Sequence, residues 1–141
     1  MHFRIHHNGQ AHTDGDIMIE VVEEKVLFMG DNIVAERVAR LHDGNFLGNI
    51  AACEAALKTD AKHFVPGHGK TGGREVVITY RDLLKTLYGS VKKYYAQGMS
   101  DFDMKDKVIA ELGPYRKWAQ FDSEIGKHIS LAWLQVEQAS F

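Results

Sequence analysis

The sequence predicts an α/β protein, a sheet with helices followed by a helical tail. Three observations predict it. Up to about residue 73, short runs rich in β-branched residues alternate with Gly, Asp and Asn. From Arg74 onward, Gly and Pro thin out and apolar residues recur at helical spacing. The chain has 141 residues and is 45% hydrophobic, enough to bury a core of its own. One domain over 1–141 is expected, with 1–73 as the sheet region and 74–141 as the helical tail.

Phe3 to His6 reads as a short strand, broken by Asn8-Gly9. Ile17 to Glu23 is β-branched and reads as a second strand. Lys25 to Gly30 reads as a third, apolar on both faces and therefore central. Only Glu23-Glu24 separate these two, so they form a hairpin. A turn centred there sets residues near 16 opposite residues near 31, which brings the His12–Asp16 loop beside Asp31. Residues 32–45 read as loop. Asn45 is placed to cap a helix over 46–58 whose apolar side holds Leu47, Ile50, Ala51, Cys53 and Leu57. His63-Phe64-Val65 is a short strand running into the tight turn Pro66-Gly67-His68-Gly69. A long helix runs from Arg74 to about Gln97 on Val77, Tyr80, Leu84, Leu87, Val91 and Tyr94. Gly98 ends it. A helix over 101–112 stops at Gly113-Pro114. The last, over 122–138, aligns Ile125, Ile129, Ala132, Trp133 and Val136.

Charge and composition exclude several classes. Seventeen basic against nineteen acidic residues argue against a nucleic-acid partner. No apolar run is long enough for a membrane span, so no membrane partner is expected. The single Cys53 has no partner for an internal disulfide and reads as a small core residue. The first residues lack the apolar stretch of a signal peptide, so a cytoplasmic location follows if Met1 is the true start. A signal removed from a longer precursor would leave no trace.

His12, Asp31 and His68 are the candidate functional residues. Each falls in a Gly-flanked turn next to a predicted strand, where a rigid sheet presents ligands. Imidazole nitrogen and carboxylate oxygen suit zinc and iron. The other histidines have plainer readings. His2, His6 and His7 are surface or strand residues, and His63 and His128 are structural. His42 sits in a loop that could face the site. The tail aromatics Tyr94, Tyr95, Tyr115, Trp118, Phe121 and Trp133 are expected to pack the tail helices against the sheet. Lys92-Lys93 is too small a cluster for a phosphate patch.

The local strings are more specific than the spacing. Ala11-His12-Thr13-Asp14-Gly15-Asp16, Val26-Leu27-Phe28-Met29-Gly30-Asp31 and Val65-Pro66-Gly67-His68-Gly69 occur in that order. This series resembles the metallo-β-lactamase-fold hydrolase superfamily over roughly residues 3–73. The resemblance implies that His12 is a ligand of a first metal, that Asp31 bridges two metals and is catalytic, and that His68 is a ligand of the second. It places Thr13 and Asp16 behind the ligands, orienting them through hydrogen bonds. The implied cofactor is zinc, one or two ions per complete site, or iron. The implied fold is the αββα sandwich, of which this chain looks like the C-terminal half, with one mixed sheet, helices and a helical tail.

The family's His-x-His-x-Asp-His string is absent, and only eleven residues precede His12. The chain therefore reads as a truncated half, a fragment, or a gene beginning at an internal methionine. The resemblance implies a hydrolase of small molecules when full length. Two metals about 3.5–4 Å apart would hold a hydroxide that attacks an ester, thioester, lactam or similar bond. This chain alone is expected to be inactive. The other reading is a non-catalytic metal-binding or oligomerising module derived from that fold. Half a sandwich leaves one sheet face bare, so a partner is expected: the missing N-terminal half or a second copy in a twofold dimer.

Overall fold

The computed structural model describes residues 1–13, 16–40 and 44–141. The hairpin forms as the sequence dictates. Strand β2 (Met18–Val21) pairs antiparallel with β3 (Val26–Phe28), with Ile19 opposite Phe28 and Val21 opposite Val26. Both strands are shorter than their apolar runs. The turn absorbs Val22 to Lys25, where Lys25 N–H donates to the Val22 carbonyl at 3.2 Å and Lys25 takes a left-handed φ of 56°. Past Phe28 the chain tightens into a 3-10 turn at Gly30–Asn32, which ends β3 early.

Strand β1 (Phe3–His6) adds antiparallel to the outer side of β2. Strand β4 (His63–Val65) adds parallel to β3, so the sheet order is β1-β2-β3-β4 and the sheet is mixed. A parallel neighbour needs a crossover. Helix α1 (Phe46–Leu57) supplies it, capped by the Asn45 side chain accepting from Gly48 N–H at 2.8 Å. The outer side of β4 is closed by a two-bond bridge between Phe64 and Gly72.

The two sheet faces differ. On one, Met18, Leu27, Met29 and Phe64 are fully buried in the core. Glu20 is buried on the same face and meets His6 Nε2 at 3.1 Å, so its carboxylate has a partner. The other face carries Phe3, Ile5, Ile19, Val21, Val26, Phe28, His63 and Val65, as strand alternation requires. It is uncovered: Phe3 is 61%, Ile5 69% and Phe28 46% exposed. Leu27 and Phe28 therefore point to opposite fates, although both belong to a run apolar on both sides.

Helix α2 (Arg74–Ala96) buries Val77, Tyr80, Leu84, Leu87 and Val91, the face its periodicity marks. Helix α1 does not use the side its larger residues suggest. It buries Phe46, Asn49, Ala52, Cys53 and Ala56, while Leu47 is 53% exposed. Small alanines let α1 and α2 pack closely, and Asn49 is tolerated inside because its Nδ2 donates to the Asn32 carbonyl at 2.5 Å.

Helices α3 (Asp101–Glu111) and α4 (Phe121–Ala139) pack on α2 and on each other. Of the tail helices α2 contacts β4, and Tyr94, Tyr95, Tyr115, Trp118 and Trp133 pack against the core that the sheet shares, with Phe121 inside it. Tyr95 and Trp133 meet edge to face at 5.5 Å, and Tyr115 meets Trp118 at 5.0 Å. Glu111 on α3 accepts from Ser90, Lys93 and Tyr94 of α2. Gln135 of α4 binds both Phe46 N–H and the Gly44 carbonyl, tying the tail to the start of α1. Among the described residues no helix is long and apolar enough to cross a membrane.

Candidate functional site

Asp31 and His68 owe their closeness to the parallel pair. Phe28 and Val65 are register partners at the carboxyl ends of β3 and β4. Asp31 and His68 each lie three residues further on. The two turns then lock together. Met29 N–H donates to Val65 O at 2.9 Å, Gly67 N–H to Ile33 O at 3.1 Å, and Ala35 N–H to His68 O at 2.9 Å. A Cβ at Gly67 would strike Asp31 Oδ1 and come within 2.5 Å of the Gly30 carbonyl oxygen, so only glycine lets the turns sit this close. The result is an imidazole beside a carboxylate, with His68 Nε2 3.4 Å from Asp31 Oδ1. Both side chains are about half exposed, so a ligand can reach them.

His12 arrives from the other side. Its loop is anchored to α1, where Asn45 N–H donates to Ala11 O at 2.7 Å. Gly48 admits the loop, since a Cβ there would overlap the Gln10 carbonyl oxygen. Nδ1 of His12 is buried and has no hydrogen-bond partner among the described residues. Thr13 N–H donates to Asp16 Oδ2 at 2.6 Å, which closes the base of the loop. Asp14 and Gly15 of the same string, and His42, lie outside the described residues.

His12, Asp31 and His68 line one cleft of about 280 Å³, together with Arg37, Ala39, Arg40 and Gln120. The last four are not signalled by the sequence. Residues 36–38 bridge to Ala119 in the connection before α4, through Val38 N–H to Ala119 O at 2.9 Å and Ala119 N–H to Glu36 O at 3.1 Å. That long-range pairing carries Gln120 to the cleft, in a left-handed conformation with φ 65°. Arg-Val-Ala-Arg within a loop gives no local hint of it.

The donor types suit a metal ion. The orphaned His12 nitrogen and the adjacent carboxylate and imidazole are groups a cation would satisfy. Among the described residues no three His, Cys, Asp or Glu side chains converge tightly enough to hold an ion alone. Of the residues read as structural, His128 is buried behind the cleft, its Nδ1 3.0 Å from the Glu124 carbonyl oxygen and its ring edge-on to Phe46. Burial holds its pKa below the usual histidine value. Cys53 is buried, and desolvation pushes its thiol up to about 12, so it is no nucleophile.

Neither a family model nor a curated protein matches the chain by sequence. Solved structures do match by fold. DIM-1 metallo-β-lactamase superposes with a TM-score of 0.55 at 21% identity, over 60% of this chain and 41% of that one. A metallo-β-lactamase from Erythrobacter litoralis gives 0.54 at 25% identity, over 59% and 39%. One from Hirschia baltica gives 0.54 at 25%, over 58% and 40%. The chain therefore has a partial metallo-β-lactamase fold, and it spans about 40% of the length of these relatives.

Proposed function

We propose that this chain carries part of the centre of a metal-dependent hydrolase built on the metallo-β-lactamase fold. One observation carries the reading. His12, Asp31 and His68 come from three separated strings, and in this fold they line a single cleft. His12 and His68 would offer imidazole nitrogens to a metal, zinc by preference, and Asp31 would offer carboxylate oxygen. A bound metal would supply Lewis acidity and a nucleophilic water near neutral pH. The chain's own residues do the positioning. The interlocked turns at Gly30 and Gly67 fix Asp31 against His68, and the α1 anchor fixes His12. Asp31 brings the carboxylate of the cleft, beside the guanidinium groups of Arg37 and Arg40. Thr13 and Asp16 steady the His12 loop from behind. The proposed substrates are small molecules with an ester, thioester, lactam or similar bond.

A second proposal concerns the bare sheet face. It bears no Asp, Glu, Lys or Arg, so it can meet its own copy without charge repulsion. We propose that a second copy of the chain covers it, sheet against sheet about a twofold axis. If the dimer forms and no metal binds, the non-catalytic oligomerising module is the better description.

The deciding experiment is metal content per chain after equilibration with zinc and gel filtration, for the wild type and His68→Ala. Zinc retained by the wild type and lost in the variant supports the reading. Equal zinc in both, or none in either, overturns it for this chain.

A further inference from the structure

The helical tail holds another cavity, which shares no lining residue with the cleft. It measures about 380 Å³, the size of a small-molecule site, and opens where α2 ends and α3 begins, against the last turns of α4. Two aromatic rings wall it. Those of Tyr95 and Trp133 stand at 67° to each other with centroids 5.5 Å apart, so they form a corner. The Trp133 ring is pinned, because its Nε1–H donates to the Met99 carbonyl at 3.0 Å. Gly98 leaves the floor open: nothing lies within 4 Å of the place a Cβ would take there.

The charge around this corner is negative. Glu137 lines the cavity, is half-buried, and forms no ion pair among the described residues. Among the described residues no Lys, Arg or His lines it. Helices α2 and α4 both end here, and a helix C-terminus carries the negative end of its dipole. The last turn of α4 holds no basic residue to offset this. Lys93, in the last turn of α2, is held by Glu111 and by the face of Tyr94, and Lys92 is exposed outside the cavity. The positive end of α3 also starts here, at Ser100, and Asp101 and Asp103 of its first turn answer it.

We propose that this corner binds the methylated ammonium head of a small organic molecule. A ring face attracts a cation that sits within about 6 Å of its centroid, and Trp is the strongest of the three rings in this respect. A methylated ammonium suits two such walls because its surface is apolar and its charge is spread, so little water is lost on entry. A primary ammonium is a compact, strongly hydrated charge and fits the rings less well. Glu137 supplies the counter-charge from the rim, and the two helix ends add to it. The site stands whether or not the cleft binds a metal.

The test is a titration of the ¹⁵N-labelled full chain against choline chloride, with sodium chloride as the salt reference. A parallel titration uses dimethylbutanol, the uncharged isostere of choline in which carbon replaces the quaternary nitrogen. Shifts of the Trp133 indole N–H and of the Tyr95, Gly98 and Glu137 amides report binding. The expected result is saturable shifts with choline, and binding of the isostere weaker by roughly tenfold. Glu137→Gln keeps the shape and removes the charge, and should weaken choline about threefold. Trp133→Leu should weaken it about tenfold. Because that variant also loses the bond to Met99, Tyr95→Leu serves as the second ring variant, and amide shifts unchanged away from the cavity verify that each one folds. Shifts that do not saturate, that the isostere matches, or that persist equally in Glu137→Gln and both ring variants overturn the proposal.

Discussion

Gly67 lies directly against the carboxylate of Asp31, and the space a Cβ would take at position 67 is filled by Asp31 Oδ1 and the Gly30 carbonyl. The two turns that carry Asp31 and His68 are thus fitted to each other through an absent side chain. Gly67→Ala should force them apart. Because one clashing partner is backbone, relaxation is costly, and about 1–3 kcal/mol of stability should be lost. Urea denaturation measures this, and zinc retention should fall in parallel. A variant as stable as the wild type would show that the turns have slack.

Tyr80 is fully buried, and its hydroxyl has no hydrogen-bond partner among the described residues. Burial drives its pKa upward. Removing an orphaned hydroxyl removes its desolvation cost while keeping the ring. Tyr80→Phe should therefore match or exceed wild-type stability, by up to about 1 kcal/mol. A loss of that size in urea midpoint, at unchanged slope, would reveal a partner such as an internal water.

His128 links stability to pH. Its buried ring resists protonation, so its folded pKa lies below the usual 6.5. The unfolded chain takes up a proton near 6.5 and the folded chain does not. The contribution of neutral His128 is complete above that value and is lost as pH falls through it toward the folded pKa. Stability should decline below about pH 6.5 by up to about 1.4 kcal/mol per pH unit. His128→Phe should flatten that decline even if its absolute stability differs. An unchanged slope would assign the effect to other groups.

The open sheet face predicts association. Ile5, Ile19 and Phe28 lie in one row across β1, β2 and β3. Light scattering after gel filtration should give twice the chain mass at micromolar concentration. Ile5→Lys places a charge on an exposed edge strand, where it leaves the core untouched, and should yield a monomer with an unchanged far-ultraviolet spectrum. A monodisperse wild-type monomer would count against the dimer.

Local patterning decided much of this protein. The β-branched runs around Glu23-Glu24 dictated the hairpin, because alternation and a short connection leave one register. The spacing of Val77, Tyr80, Leu84, Leu87 and Val91 dictated the buried face of α2, because large apolar residues at helical period have one way to hide. The same strings marked His12, Asp31 and His68 as residues at the ends of strands. Tertiary structure decided what patterning could not. Helix α1 turned its alanine and Asn49 side inward, since close approach to α2 and a bond to the Asn32 carbonyl outweighed the burial of Leu47. Helices α3 and α4 packed on α2 and on each other, leaving α2 as the tail helix that meets β4. The pairing of residues 36–38 with Ala119 brought Arg37 and Gln120 to the cleft. A contact between segments about eighty residues apart leaves no periodicity in either, so only the folded chain could place them together.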